Sequence, residues 1–126
     1  MSSFKAVNAL ESELESAQAG RSSMPVFLRL FCNSEIVVPS AEEIMPDGSG
    51  FEPLLFVKEG VQMVACFTAK ERIGGFADII PYCLTIRGSE FLRLIPTHYG
   101  LVVNPGQSVG FEIAPDKLRK IVTEFA

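Results

Sequence analysis

Two apolar runs on either side of Gly60 constrain the fold of this chain more than any other stretch. Residues 54–57 and 61–67 are apolar at nearly every position, which is typical of strands that are covered on both faces. The connection Lys58-Glu59-Gly60 ends in glycine, and a three-residue loop of this kind predicts a type I turn followed by a glycine bulge. We therefore expect a central β-hairpin with other layers of structure packed on its faces.

Helices are predicted at both ends of the chain. Near the start, apolar residues recur at helical spacing: Val7, Leu10, Leu14 and Ala17. The same periodicity places polar residues on the solvent side of this helix: Glu11, Glu15 and Gln18. A second helix is expected to begin at a cap on Ser22 or Ser23 and to end at Asn33, so that the two form an αα-hairpin. At the other end, Pro115 begins a helix whose apolar face continues to Phe125.

The rest of the chain alternates strand patterns with turn and capping signals. Further strands are expected at residues 36–38, 82–86, 101–103 and 109–113. Residues 40–50 are expected to form a loop, because Pro46 leaves room for only one or two turns after the capping-box spacing at Ser40. Short helices are expected after capping signals at Thr68 and Ser89. We therefore predict a single α/β or α+β domain over residues 1–126, in which helices flank a mixed central sheet of about five or six strands.

Charge and cysteine content exclude several classes of protein. The 126 residues carry a net charge of −4 and their Lys and Arg residues are scattered singly, so neither nucleic acid nor an anionic membrane is an expected partner. Three cysteines in apolar surroundings predict free thiols and a reducing, cytoplasmic location. No apolar run is long enough to span a bilayer, and the start of the chain lacks a signal-peptide pattern. A mean hydropathy of +0.28 indicates an apolar surplus that an interface could bury.

No pattern of residues predicts a catalytic site, a metal site or a bound cofactor. Asp47-Gly48-Ser49-Gly50 is turn chemistry that resembles the start of a calcium loop, but its later ligand positions fall on Phe51 and Lys58. The same stretch lacks the third glycine of a dinucleotide-binding loop. His98 is the only histidine, and we interpret it as a surface loop residue rather than as a general base or a ligand.

Residues that follow strand ends are the candidates for binding. They are Thr68, Glu71, Arg72, Tyr82, Asn104 and Gly106. Loops after strands often carry binding residues, but simpler roles are also open. Glu71 could cap a helix, Arg72 could be a solvated charge, and Asn104-Pro105-Gly106 could be no more than a tight turn.

Several segments together carry a family resemblance. They are residues 47–56, 60–68, 100–106 and 110–113. In this order they resemble the bacterial SseB N-terminal-domain family, and Leu-Val-Val-Asn-Pro-Gly followed by Gly-Phe-Glu-Ile is the most specific part. The resemblance runs from Asn8 to Phe125 and implies a bacterial, cytoplasmic protein in a family named for enhanced serine sensitivity. It implies no catalytic residues, and longer members of the family add a second domain.

Two classes of function are compatible with these features. The first is a non-enzymatic module that binds another protein or forms a homodimer, with the first two helices as the dimer contact. The second is a small-ligand sensor, for example for an amino acid, or an enzyme with a pocket near Thr68, Tyr82 and Asn104. The apolar surplus and the lack of a catalytic constellation favour the interaction module.

Overall fold

A computed structural model describes residues 5–47, 49, 52–78 and 80–126 of the chain. Its elements are, in chain order, α1 (Ala9–Gln18), α2 (Met24–Cys32), β1 (Glu35–Ser40), β2 (Leu55–Lys58), β3 (Val61–Cys66), a 3₁₀ helix (Lys70–Asp78), β4 (Tyr82–Arg87), α3 (Gly88–Leu94), β5 (Gly100–Val103), β6 (Phe111–Ile113) and α4 (Pro115–Phe125). The predicted class is confirmed, because six strands in these ranges are flanked by helices. No helix in the described ranges has the length and apolar character needed to cross a bilayer.

The strands are arranged in two linked sheets. β2, β3, β5 and β6 form a mixed sheet in that order, with β3 and β5 parallel and the outer pairs antiparallel. β1 and β4 form an antiparallel pair. An isolated bridge links the sheets, because Val37 and Phe67 exchange N–H···O bonds of 2.9 and 2.8 Å. Phe67 directly follows β3, so β1 continues the pairing just beyond the end of that strand.

The four-stranded sheet has apolar side chains on both faces. Helices cover one face, where the main core includes Leu14, Phe27, Phe31, Val64, Cys66, Leu92, Leu101, Val103 and Ile121. On the opposite face Met63, Ala65 and Val102 form a separate buried cluster. Alternate residues of a strand point to opposite faces, so the two-sided apolar pattern of β3 serves both clusters. The prediction of a doubly covered central strand is therefore confirmed for β3.

β2 does not share that central position. It lies at the edge of the sheet, and its Leu55 and Val57 side chains are exposed. The prediction is therefore wrong for β2, because the order of strands in a sheet is decided by tertiary pairing and not by the local pattern.

The hairpin turn also differs from the prediction. Lys58 pairs with Val61, so the loop has only Glu59 and Gly60 rather than three residues. Their φ angles are 51° and 81°, and positive φ at both central positions defines a type I′ turn. This turn matches the twist of the flanking strands better than a type I turn does, which explains the shorter loop.

Local capping signals were predicted with mixed success. Ser23 caps α2 by accepting the Val26 amide N–H at 3.4 Å, and Asn33 ends the helix. The predicted loop after Ser40 is confirmed, because residues 41–47 contain no helix and the Ser40 hydroxyl donates to the carbonyl of Glu42. The short helix expected at Ser89 is confirmed as α3, but Ser89 is not its cap, because this residue lies inside the helix. In the predicted turn at 47–50, Gly48 and Gly50 lie outside the described residues.

Candidate functional site

Two of the predicted site residues meet where the parallel strands β3 and β5 end. Cys66 of β3 lies beside Val103 of β5. Because parallel strands run in the same direction, the residues that follow them, Thr68 and Asn104, lie at one edge of the sheet. We call the side chains that converge here the polar cluster: Glu11, Thr68, Arg72 and Asn104.

The centre of the polar cluster is an ion pair between α1 and the 3₁₀ helix. The Arg72 Nε donates to Glu11 Oε2 at 2.8 Å, and Arg72 Nη2 donates to Glu11 Oε1 at 2.7 Å. This is the bidentate geometry that makes arginine–carboxylate pairs strong. The Glu11 side chain is 0% exposed and that of Arg72 is 13% exposed, so water screens the pair poorly.

A chain of hydrogen bonds connects Glu11 to the strand ends. The Thr68 hydroxyl lies 2.6 Å from Glu11 Oε2, and Asn104 Nδ2 lies 2.9 Å from the Thr68 hydroxyl oxygen. A hydroxyl has a single proton, and the carboxylate can only accept. The proton must therefore point to Glu11, while the hydroxyl oxygen accepts from Asn104. Asn104 Oδ1 accepts the Thr68 amide N–H at 3.0 Å, and Asn104 Nδ2 also donates to the carbonyl of Val109 at 3.1 Å.

The same cluster holds the first turn of α1. The Asn8 Oδ1 accepts the Glu11 amide N–H at 2.8 Å, while Asn8 Nδ2 donates to the carbonyl of Thr68 at 2.9 Å. The Val7 amide N–H donates to Glu11 Oε1 at 2.9 Å. The cap of α1 is thus bonded directly to the end of β3, which fixes where the helix lies on the sheet.

Two opposing effects act on the Glu11 carboxyl. Burial raises its pKa, whereas the hydrogen bonds from Arg72, Thr68 and the Val7 amide lower it. The bonds outweigh burial, so the pKa of Glu11 lies below its ordinary value of 4.5. Glu11 is therefore ionised at neutral pH and is suited to holding Arg72 rather than to accepting a proton as a general base.

The structure corrects the roles expected for four residues of this region. Glu11 was predicted on the solvent side of α1 but is fully buried. Arg72, considered as a solvated charge, is paired with Glu11. The capping box at Thr68 is wrong as well, because the Thr68 amide donates to Asn104 and its hydroxyl to Glu11. Glu71 is exposed and does not cap the helix.

The remaining predicted site residues lie outside the polar cluster. Tyr82 is at the start of β4, opposite Ser40 in the two-stranded sheet. Gly106 has a φ of 83° in the turn after Asn104, which agrees with the tight turn expected there. The structure therefore unites Thr68, Arg72 and Asn104, and it does not bring Glu71, Tyr82 or Gly106 into the same set of bonds.

Sequence reasoning missed Glu11 although one signal was present. Asn8 and Glu11 have the spacing of an N-cap residue and its N3 partner. This pattern identifies the start of α1, but it carries no information about Arg72, which is 61 residues away.

A shallow depression of about 220 Å³ lies beside the polar cluster. Its lining includes Val102, Asn104, Gly106, Gln107, Phe111 and Glu112. Ligand pockets usually measure about 300–1,000 Å³, so this depression is small. Within the described residues every buried side-chain nitrogen and oxygen has a hydrogen-bond partner. The cluster is thus suited to joining α1, the 3₁₀ helix and the strand ends.

The cysteines do not supply a reactive group to this region. Cys66 is fully buried, and burial raises the pKa of its thiol. The Cys32 thiol is likewise buried with a raised pKa. A protonated thiol is a poor nucleophile. Among the described residues, no group of three or more His, Cys, Asp or Glu side chains is arranged to hold a metal ion.

Comparison with known proteins identifies the family. A family model described as the SseB protein N-terminal domain matches residues 10–120. No curated protein and no solved structure shows a significant match. The match covers most of the sequence and includes all but the first residue of α1, the hairpin, the polar cluster and the first half of α4. The chain therefore belongs to the SseB protein N-terminal domain family.

Proposed function

We propose that this domain is a non-enzymatic module that binds protein, and that the outer edge of β2 is its binding surface. The observation that carries the proposal is an apolar edge strand exposed to solvent. Leu55 is 37% exposed and Val57 is 71% exposed, and among the described strands β2 pairs with β3 alone.

The backbone of β2 has hydrogen-bonding groups directed away from the sheet. In an antiparallel strand the N–H and C=O of one residue point to the same side, and the side alternates along the strand. The Leu54 carbonyl accepts from Ala65 at 2.9 Å, and the Leu54 amide donates to Pro39 at 3.4 Å. Leu54 thus points inward, and by alternation the N–H and C=O of Leu55 and Val57 point outward. An extended segment of a partner could bond to them as an added strand.

The flanking residues limit this edge to a short segment. Pro53 has no N–H to offer, and Glu59 with Gly60 forms the turn. Such features restrain uncontrolled pairing of edge strands. A short apolar segment between them suits a specific partner better than open-ended association.

The proposal includes a cytoplasmic location in a bacterium. The three cysteines are free in the structure, which suits a reducing compartment. The small-ligand hypothesis has weaker support, because the polar atoms of Thr68 and Asn104 are already bonded to one another.

Affinity capture with an edge variant tests the binding surface. Lysine on an edge strand blocks pairing, so Val57→Lys is expected to abolish capture of a partner that wild type retains from a bacterial lysate. Leu94→Lys is the matched control, because Leu94 is also highly exposed, at 63%, and lies at the end of α3, where a cation is tolerated. Circular dichroism confirms that both variants are folded. Equal capture by all three proteins would refute the role of β2.

A further inference from the structure

The outer edge of β2 is complementary to itself, and we infer that a second copy of this chain pairs with it. The inference rests on the proposed function, because it names a partner for the same edge. In this arrangement β2 of one copy lies antiparallel to β2 of the other across a two-fold axis. The four-stranded sheet then continues from one copy into the next, and closed two-fold symmetry is the commonest form of homo-oligomer.

One register satisfies all the outward backbone groups. When Leu55 lies opposite Val57 of the second copy, each of these residues exchanges N–H···O bonds with its opposite number. A register that places Leu55 opposite Leu55 brings Val57 against Pro53, which has no N–H. A register that places Val57 opposite Val57 brings Leu55 against Glu59, whose φ of 51° removes it from the strand. Only the first register uses every outward donor and acceptor.

The side chains agree with this register. Leu55 lies beside Val57 of the second copy on the helix-covered side of the sheet, because Leu55 pairs with the core residue Val64. Phe56 lies on the axis beside its own counterpart on the opposite face. Apolar and aromatic cross-strand pairs of this kind stabilise sheets.

Charge does not oppose the pairing. Lys58 lies opposite Leu54 of the second copy, so like charges do not face each other across the axis. Lys58 is also neutralised within its own copy by an ion pair to Glu112 at 2.5 Å. The β2 strand of a second copy thus places apolar residues beside the apolar residues of this edge.

The apolar face of the helix pair, which is the dimer contact expected from the sequence, packs against its own chain. Leu10, Leu14, Phe27 and Phe31 are all buried in the core of their own chain. The β2 edge is short, and a standard interface buries about 800 Å² per partner. We therefore expect a weak dimer that dissociates on dilution.

Sedimentation velocity over a dilution series measures the association. Wild type is expected to shift from dimer to monomer as it is diluted, and Leu94→Lys is expected to do the same. Val57→Lys should weaken the dimer by about tenfold or more, because both copies lose an apolar cross-strand pair. A dimer unaffected by Val57→Lys, or a wild type that is monomeric throughout, would overturn the inference.

Disulfide trapping tests the register. In a Cys83→Ser background, Phe56→Cys should form an intermolecular disulfide on mild oxidation, because directly opposed non-hydrogen-bonded residues have Cα atoms about 4.5 Å apart. Lys58→Cys is the control, since this residue lies away from the axis and should not cross-link. Cross-linking of Lys58→Cys without cross-linking of Phe56→Cys would reject this register. If no dimer forms while Val57→Lys still abolishes partner capture, the second copy is rejected and the proposed function stands.

Discussion

The placement of α1 depends on the carboxylate of Glu11. Both of its oxygens accept charge-assisted bonds from Arg72, and Thr68 donates a further bond. Taking one partner from a buried ion pair leaves a charge without compensation, which costs more than the pair itself contributes. Glu11 is thus worth more to stability than a surface glutamate on the same helix.

Replacing Glu11 tests this contribution. Glu11→Gln keeps the size of the side chain but removes the negative charge that forms the bidentate ion pair with Arg72. We expect a loss of about 3 kcal/mol in the free energy of unfolding, measured by urea denaturation. Glu124→Gln is the control, because Glu124 is exposed near the end of α4, and its effect should be below about 0.5 kcal/mol. Equal effects of the two substitutions would contradict the role of Glu11.

The same variants also test how the free energy of unfolding depends on pH. The pKa of Glu11 is lower in the folded chain than its ordinary value of 4.5, so folding favours the ionised form. The stabilisation is present above pH 4.5 and is lost as the pH falls through the lower folded pKa. The difference between wild type and Glu11→Gln should therefore shrink below pH 4.5. A difference that stays constant down to acid unfolding would exclude this linkage.

At the scale of elements, the β2–β3 hairpin contains a turn that its sequence does not favour. A type I′ turn needs positive φ at both central residues and prefers Asn-Gly. Gly60 meets this need, whereas Glu59 has a φ of 51° and carries a side chain that resists this conformation. The hairpin therefore forms in spite of a strained residue, because pairing with β3 holds it in place.

Glu59→Asn should stabilise the hairpin. Asparagine tolerates the left-handed region better than glutamate, so we expect a gain of roughly 0.5–1 kcal/mol in the free energy of unfolding. The Glu59 side chain is exposed, which makes other effects small. Gly60→Ala is the opposite control, because its φ of 81° suits glycine, and it should destabilise. If Glu59→Asn is neutral or harmful, the turn is not a source of strain.

At the scale of the whole molecule, the four-stranded sheet separates two apolar clusters that share its central strands. Cys66 belongs to the helix-covered cluster and is 0% exposed. Cys83 belongs to the two-stranded sheet and is only partly buried. Access to these two thiols therefore reports on different events, local exposure for Cys83 and opening of the core for Cys66.

Thiol labelling of the native protein should distinguish Cys83 from Cys66. A maleimide is expected to label Cys83 first, while Cys66 should react only at the rate of global unfolding, because its thiol is buried and its pKa is raised. Mass spectrometry of peptides from a labelling time course identifies each site. Labelling of Cys66 as fast as Cys83 would show that the main core opens locally.

Local signals in the sequence determined the elements of this protein. The apolar pattern predicted β3, and Pro115 with the apolar residues that follow it predicted α4. Ser23 and Asn33 marked the ends of α2. These predictions succeeded because caps, turns and periodic apolar positions act within a few residues of the chain.

Only the tertiary structure decided which strand lies at the edge and which polar residues meet. The hairpin strands look alike in sequence, but β3 has neighbours on both sides and β2 does not. Glu11 has a solvent-side position in its helical pattern, yet it is buried because parallel pairing of β3 with β5 brings Thr68 and Asn104 together beside Arg72. Apolar periodicity reports only on the positions within one element, whereas the burial of a side chain depends on contacts with residues that are distant in sequence. For that reason both the polar cluster and the exposed edge of β2 emerge only from the folded chain.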